Sequence, residues 1–288
     1  FGRDGSSKPS KKLFLTEVKQ GVVPTTWWTH EDAGHNDEAK KELKVLFTEA
    51  LPFDTPKPTR LIQRILQIGT SGVGSELVFD FFAGSGTTSH AVLAANLADN
   101  GGRRFVLVQF PEPTQHSQFN TIAAVTKERT RRTGEQLRKK GYAGDTGFRV
   151  FKLDASNVRA WNPQSADLEA DLLTHQDHLV ENRSESDILY ELLLKLGLDL
   201  CIAIEQRSIA DKAVYSVGAG VLMACLSPQI TTDDVEALAQ GIVAWRKALA
   251  PSGDTTCVFR DSAFANDVAK TNMAAILMQN GIQNVRSL

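Results

Sequence analysis

The stretch Val78-Phe79-Asp80-Phe81-Phe82-Ala83-Gly84-Ser85-Gly86-Thr87-Thr88 decides how this chain is read. An apolar run from Glu76 to Phe81 has strand character and carries an acid, Asp80, at its end. Two glycines, Gly84 and Gly86, follow one residue apart. There a backbone without Cβ atoms can pass close to a ligand before a helix begins. A third glycine would complete the dinucleotide fingerprint, but Ser89 stands where it would fall. No phosphate loop of the Gly-x4-Gly-Lys-Ser/Thr kind is present either. Both absences argue against a pyrophosphate ligand. A ligand with an amino-acid tail, a sulfonium and an adenosine fits better, because Asp80 can meet its ammonium group. The competing reading is an ordinary strand-turn-helix without a ligand.

Outward from this stretch, a helix over residues 88–97 ends at Asn100-Gly101-Gly102, and a buried-type strand follows from Arg104 to Phe110. Pro111 stops that strand; a second helix over 117–140 stops at Gly141, and residues 148–153 read as one more strand. Strand, helix, strand, helix in this order predicts parallel pairing with crossover helices covering the sheet. Upstream, residues 1–20 read as a polar arm and residues 20–29 as an edge strand, because Pro24 cannot serve a central one. Residues 38–47 have helical composition; Pro56 and Pro58 then open a helix with Leu61, Ile62, Ile65 and Leu66 on one stripe and Gly69 at its end. Beyond Asp154 the chain predicts a second α/β unit. Its helices fall at 186–196, 231–249 (capped by Thr231 or Thr232) and 263–279. Two short strands within 213–226, broken at Gly218 and Gly220, and strands at 255–260 and 284–287 complete it. The expected division is 1–153 and 154–288.

Composition sets the class. At 288 residues, 42% hydrophobic and 23% charged, the chain has the make-up of an ordinary globular protein of two domains. No run approaches the roughly 20 apolar residues of a membrane helix. Cys201, Cys225 and Cys257 are odd in number, far apart and set among apolar neighbours. They are expected as buried reduced thiols of a cytoplasmic protein. Phe1-Gly2-Arg3-Asp4 is neither an initiator methionine nor a signal peptide, so further sequence is expected upstream. The net charge of -2 hides an asymmetry. Arg103, Arg104, Lys127, Arg129, Arg131, Arg132, Arg138, Lys139 and Lys140 face only Glu112, Glu128 and Glu135 over residues 103–140. Residues 154–187 are acidic by contrast. The basic segment suits phosphate contacts or, equally, a solvated helix face.

DFFAGSGTTSHAV (80–92) resembles the cofactor motif of DNA amino-methyltransferases, and FDTPKPTRLIQRIL (53–66) resembles the motif just before it in the circularly permuted β-type enzymes. RRFVLVQFPEP (103–113), DGSSKPSKKLFLTEVKQGVVPTTWW (4–28) and the closing residues 258–288 resemble modification subunits of type III restriction-modification systems. The resemblance implies a Rossmann-like, S-adenosyl-L-methionine-dependent methyltransferase half over 1–153, acting on adenine N6 in DNA, plus the smaller α/β domain. It assigns Lys57, Pro58, Thr59, Asp80, Phe82, Ala83, Gly84, Ser85, Gly86, Thr87 and Gln109 to the cofactor. Lys57, Pro58, Thr59 and Leu61 would close over its methionine portion. Gln109 stands where the family has a ribose-binding acid, with Glu112 as the substitute. Phe82 is either a cofactor contact or a core aromatic. The family also implies homodimerisation and a restriction subunit as partner; the second domain, which shows no catalytic constellation of its own, is expected to serve dimer or subunit contact.

One element of that family is missing. N6 methylation needs a flipped adenine stacked on an aromatic, with its amino group donating to a side-chain oxygen and a backbone carbonyl. The family supplies these with Asp/Asn/Ser-Pro-Pro-aromatic, yet no two of the ten prolines here are adjacent. Asn162-Pro163-Gln164-Ser165 is the nearest look-alike and lacks both the second proline and the aromatic. No catalytic residue is therefore assigned, and the chain is expected to bind cofactor without methylating by itself. The rival readings are a non-catalytic assembly or DNA-binding module and a nucleotide-dependent oxidoreductase. His30 and His35, near Glu31 and Asp32, and the His175/His178 pair are candidate ligands outweighed by plain solvation. Trp27 and Trp28, with Lys8, Lys11, Lys12 and Lys19, suit either DNA contact or packing.

Overall fold

In a computed structural model, residues 14, 16–17, 23–49, 51–159 and 179–288 are described. They form two units that divide between Phe148 and Arg149. Lys8, Lys11, Lys12, Lys19, the Asn162–Ser165 tetrad, His175 and His178 lie outside the described residues.

The first unit contains α1 (His30–Ala33), α2 (Asn36–Leu46), α3 (Thr59–Gly69), β1 (Leu77–Asp80), α4 (Thr87–Asp99), β2 (Arg104–Leu107) and α5 (Ile122–Lys139). Strands β1 and β2 run parallel, from Leu77 opposite Arg104 to Asp80 opposite Leu107, with α4 as the crossover. On one sheet face Val78 and Phe105 pack with Ile62 and Leu66 of α3 and Ala91, Val92 and Ala95 of α4. The other face carries Leu77, Phe79 and Val106, continued past the strand ends by Phe81, Val108 and Phe110. These side chains are exposed, Phe79 at 58% and Phe110 at 72%. Parallel strands normally have both faces covered. A second cluster joins Leu43 of α2 and Phe47, the C-cap that follows it, to Val125 of α5 and to Phe53.

Two expected strands are absent here. Residues 23–29 of the predicted 20–29 strand form a bend without ladder pairing. Residues 148–153 form no ladder with any described strand, and Leu153 is 97% exposed. Strand propensity there finds no neighbouring strand to satisfy it. Arg149 instead donates to Tyr190 Oη and to the carbonyls of Leu200 and Ile202. Helix α5 starts at Ile122 rather than 117, because Thr121 accepts from Ala124 N as its N-cap.

The second unit contains α6 (Glu185–Lys195), β3 (Ile204–Ile209), β4 (Lys212–Val217), β5 (Leu222–Cys225), α7 (Asp234–Leu249), β6 (Thr256–Phe259), α8 (Asp267–Gln279) and β7 (Asn284–Ser287). The sheet order is β3-β4-β5-β6-β7. The β3–β4–β5 side is antiparallel, while β5, β6 and β7 run parallel through α7 and α8. One face buries Val214, Met223, Cys257 and Phe259 against Ile242 and Trp245 of α7 and Met273 and Leu277 of α8. The other buries Val217, Leu222, Ala224 and Val258 against Ile188, Leu189, Leu192 and Leu193 of α6. Ser184 and Asp187 start α6 with a reciprocal capping box. Helix α7 begins after Asp233; Thr231 caps nothing but ties its own backbone and hydroxyl to Asp234. Cys225 and Cys257 are buried free thiols, whereas Cys201 is free and exposed, which corrects the expectation that all three are buried.

Candidate functional site

The site forms where β1 ends. Asp80 Oδ1 accepts from Phe82 N at 3.1 Å and Oδ2 from Thr88 Oγ1 at 2.5 Å, so the acid braces the turn that follows it. Gly84 (φ 53°) and Gly86 (φ 82°) both occupy the left-handed region, which explains both glycines. Gly86 also sits against α5: a Cβ there would stand 3.1 Å from Thr126 O. It is the N-cap of α4, whose first turn holds no acid.

Helix α5 is the platform beneath this loop. Thr126, Arg129 and Thr130, at i, i+3 and i+4, share one helix face. Thr126 Oγ1 donates to Gly84 O at 2.6 Å. Arg129 Nη1 donates to Ser85 Oγ and Thr87 Oγ1, both at 2.9 Å, and Thr130 Oγ1 bonds Ser89 Oγ at 2.7 Å. The same guanidinium reaches Thr59 Oγ1 at the start of α3 at 3.2 Å. His90 Nδ1 lies 3.4 Å from Nη2, and burial pushes that imidazole down to about 3, so its neutral ring accepts the bond.

The residues assigned from the sequence come together around this loop. Thr87 Oγ1 donates to Lys57 O at 3.2 Å, joining the Lys57-Pro58-Thr59 segment to the turn. Thr59 N and Oγ1 both donate to Glu42 Oε2 on α2. Gln109 Oε1 accepts from Gly84 N at 2.7 Å and its amide donates to Phe110 O, so this side chain clamps the loop from the end of β2. Ala83, Ser85 and Thr87 are buried and Lys57 is exposed. Phe82 is 83% exposed, against its reading as a core aromatic. The rim is open along Phe81, Phe82, Phe110 and Lys57, and the surface groove lined by Val45, Leu46, Arg131 and Arg132 does not touch it.

The basic segment reads differently in three dimensions. Arg129 is fully buried. Arg131 pairs with Glu128 and Glu135, Arg132 with Glu49 and Glu128, and Arg103 with Asp99. Of the nine positions, Lys127, Arg138, Lys139 and Lys140 are exposed on or just after α5. Glu42, Thr126 and Thr130 escaped the sequence reading, and Arg129 was taken for a surface charge. The signal was the polar stripe at 126, 129, 130 and 133 along one face of the helix.

Among the histidines, His35 Nδ1 accepts from Glu38 N and caps α2, a structural use. No group of three metal-ligating side chains occurs among the described residues. Trp28 Nε1 donates to Thr25 O and its ring underlies Arg64, while Trp27 is exposed. No described helix is long and apolar enough to cross a membrane.

Residues 3–105 match the DNA methylase family, a span that holds Lys57–Thr59 and Asp80–Thr87 and stops before Gln109. The Mod subunit of the type III restriction-modification enzyme StyLTI from Salmonella typhimurium is 35% identical over 161 residues, 53% of this chain and 24% of that protein. The EcoP15I Mod subunit of Escherichia coli is 38% identical over 160 residues, 53% of this chain and 23% of its own. The EcoPI Mod subunit of Escherichia phage P1 is 28% identical over 238 residues, 78% of this chain and 35% of its own. The chain thus spans between 23% and 35% of the length of these relatives. On these matches residues 3–105 are similar to a DNA methylase domain, and the chain is similar to parts of the Mod subunits of type III restriction-modification enzymes.

Proposed function

We propose that the first unit is the cofactor-holding part of a Rossmann-like DNA adenine-N6 methyltransferase and that its ligand is S-adenosyl-L-methionine. The carrying observation is the braced turn from Asp80 to Thr87, joined to Lys57 and clamped by Gln109 and α5. Two bare left-handed positions, an acid at the strand end and an acid-free helix start suit a nucleoside with an ammonium and a carboxylate on its tail. Bound there, the group supplies a methyl on a positively charged sulfur. Asp80, whose two oxygens each already accept one bond, keeps lone pairs for the ammonium. Gln109 keeps one amide hydrogen for a ribose hydroxyl.

The adenine-holding motif lies, on this reading, on polypeptide outside this chain. The bare sheet face of Leu77, Phe79, Phe81, Val106, Val108 and Phe110 supports it, since a parallel pair of strands needs both faces covered. DNA as substrate, a restriction subunit as partner, a homodimer and a cytoplasmic location follow by analogy with the relatives, with the second unit as the contact surface. The alternative, an assembly module that uses no cofactor, is favoured by the missing Pro-Pro motif and opposed by the intact loop.

Calorimetry with S-adenosylmethionine separates the two. The chain is expected to bind, and Asp80→Ala to lose at least about tenfold in affinity by unbracing the turn and removing the ammonium partner. Wild-type chain that releases no heat and shows no thermal shift with the ligand would leave the assembly reading standing.

A further inference from the structure

We propose that Arg129 is a positioning residue that makes the start of α4 select ligands carrying a carboxylate. The inference rests on the cofactor reading above and narrows it to one part of the ligand.

Arg129 is 0% exposed, and its counter-charge is poor. Glu42 Oε2 stands 4.0 Å away, and that oxygen already accepts from Thr59 N and Thr59 Oγ1. Arg129 Nε has no partner among the described residues. Burial pushes the guanidinium down to about 10 while Glu42 pulls it up, so at neutral pH it remains a cation. A buried cation with one distant carboxylate is costly to keep for packing alone.

Its hydrogen bonds give the charge a direction. A guanidinium only donates, so Ser85 Oγ, Thr87 Oγ1 and Thr59 Oγ1 must all accept from it. Thr59 then passes its own proton to Glu42, and Thr87 passes its proton to Lys57 O. Ser85 has only Thr87 Oγ1, at 3.5 Å, to donate to. Its hydroxyl proton is left for an incoming acceptor. Ser85 adjoins Gly86, the N-cap of the 13-residue α4, whose first N–H groups and dipole favour an anion. Arg129 thus adds a full charge behind an anion-seeking helix start and leaves the proton of one buried hydroxyl beside that start without a close acceptor. Asp80 gives the same loop a negative pole. An α-amino-acid tail, with its ammonium and carboxylate, matches both poles.

A residue that merely holds the loop together would, when replaced, weaken every ligand alike. Discrimination at the carboxylate is the distinguishing readout. Calorimetry on the full chain would compare S-adenosylhomocysteine with its decarboxylated analogue, which keeps the amine and the adenosine. Wild type is expected to prefer the carboxylate-bearing ligand by about tenfold or more, the usual worth of one charge-assisted contact. Arg129→Met is expected to cut that preference to about twofold, and Arg129→Lys to restore part of it. An unchanged preference in Arg129→Met, or equal losses for both ligands, overturns the proposal. Wild type that binds both ligands equally overturns it while leaving the cofactor reading intact; wild type that binds neither removes both. Should circular dichroism find Arg129→Met unfolded, Glu42→Gln decides. Loss of the compensating carboxylate should raise the preference about threefold, and a preference that stays level or falls contradicts the proposal.

Discussion

The two sheets of this molecule solve the same packing problem to different degrees. In the second unit, β5 and β6 lie between α6 on one face and α7 with α8 on the other, and all four residues of β5 are buried. In the first, β1 and β2 have α3 and α4 on one face only, and alternate residues on both strands stay in solvent. Apart from Arg104, those solvent-facing residues are Leu, Phe and Val, the same types that the second unit hides. Sequence therefore prepares both sheets for burial, but the described residues fully cover only one of them. Among the described residues the second unit has cores on both faces of its sheet, while the first holds a braced loop on a sheet covered on one face. The turn from Asp80 to Thr87 is held by local braces, Asp80, Gln109 and α5.

The sharpest way to break the contrast is to truncate one apolar side chain in each sheet region. Ile242→Ala, in the α7 core at 1% exposure, should lose about 3–4 kcal/mol in a denaturant titration, the cost of a buried cavity. Phe79→Ala should change stability by no more than about 1 kcal/mol and should lower binding of an apolar dye, since its ring is already in water. Equal losses at the two positions would mean that the face is covered in solution.

Gly241→Ala is next in size. A Cβ at this position of α7 would collide with Ile209 Cγ2 on β3, so either that side chain or the helix must shift. Unfolding should be easier by about 1–3 kcal/mol, as for other overpacked sites. Gly69→Ala in the first unit, with open space around it, should be neutral or slightly stabilising.

The cysteines sharpen the comparison through pH. Burial pushes the Cys225 thiol up to about 11 and Cys257 up to about 12 from the ordinary 9.0. Both groups are neutral in the folded and unfolded chain below pH 9. Above it the unfolded chain alone releases these protons, so their contribution is full below about pH 9 and is lost as pH rises toward the folded values. A melting series from pH 8 to 11 should fall for the second unit, and a thiol reagent at pH 8 should label Cys201 alone until the protein is denatured. The smallest effect is at a cap: Ser184→Ala should cost about 1 kcal/mol, through the lost bonds to Asp187.

What could be read from the chain follows the range of the forces involved. The turn from Asp80 to Thr88, α4 and the parallel β1–β2 pairing were legible because glycine geometry and hydrophobic periodicity act locally. Helices α2, α3, α6 and α8 were legible for the same reason. Strand β3 was missed because Glu205, Gln206, Arg207 and Ser208 make it polar in the middle, as an edge strand can be. Residues 148–153 have strand composition but no partner strand, and pairing cannot be read from composition. The role of Arg129 was hidden because a charge on a helix reads as solvent-facing until tertiary contacts are known. Lys57–Thr59 and the loop were assigned by resemblance, and the Thr87–Lys57 bond gives that adjacency a physical basis.

Hydrogen exchange read by mass spectrometry, with and without S-adenosylmethionine, tests the central claim most directly. Slower exchange is expected in the peptides covering 57–59, 80–88 and 108–110, with the peptides of 204–287 unchanged. Unchanged exchange over 80–88 at saturating ligand, or protection confined to the second unit, would contradict the account.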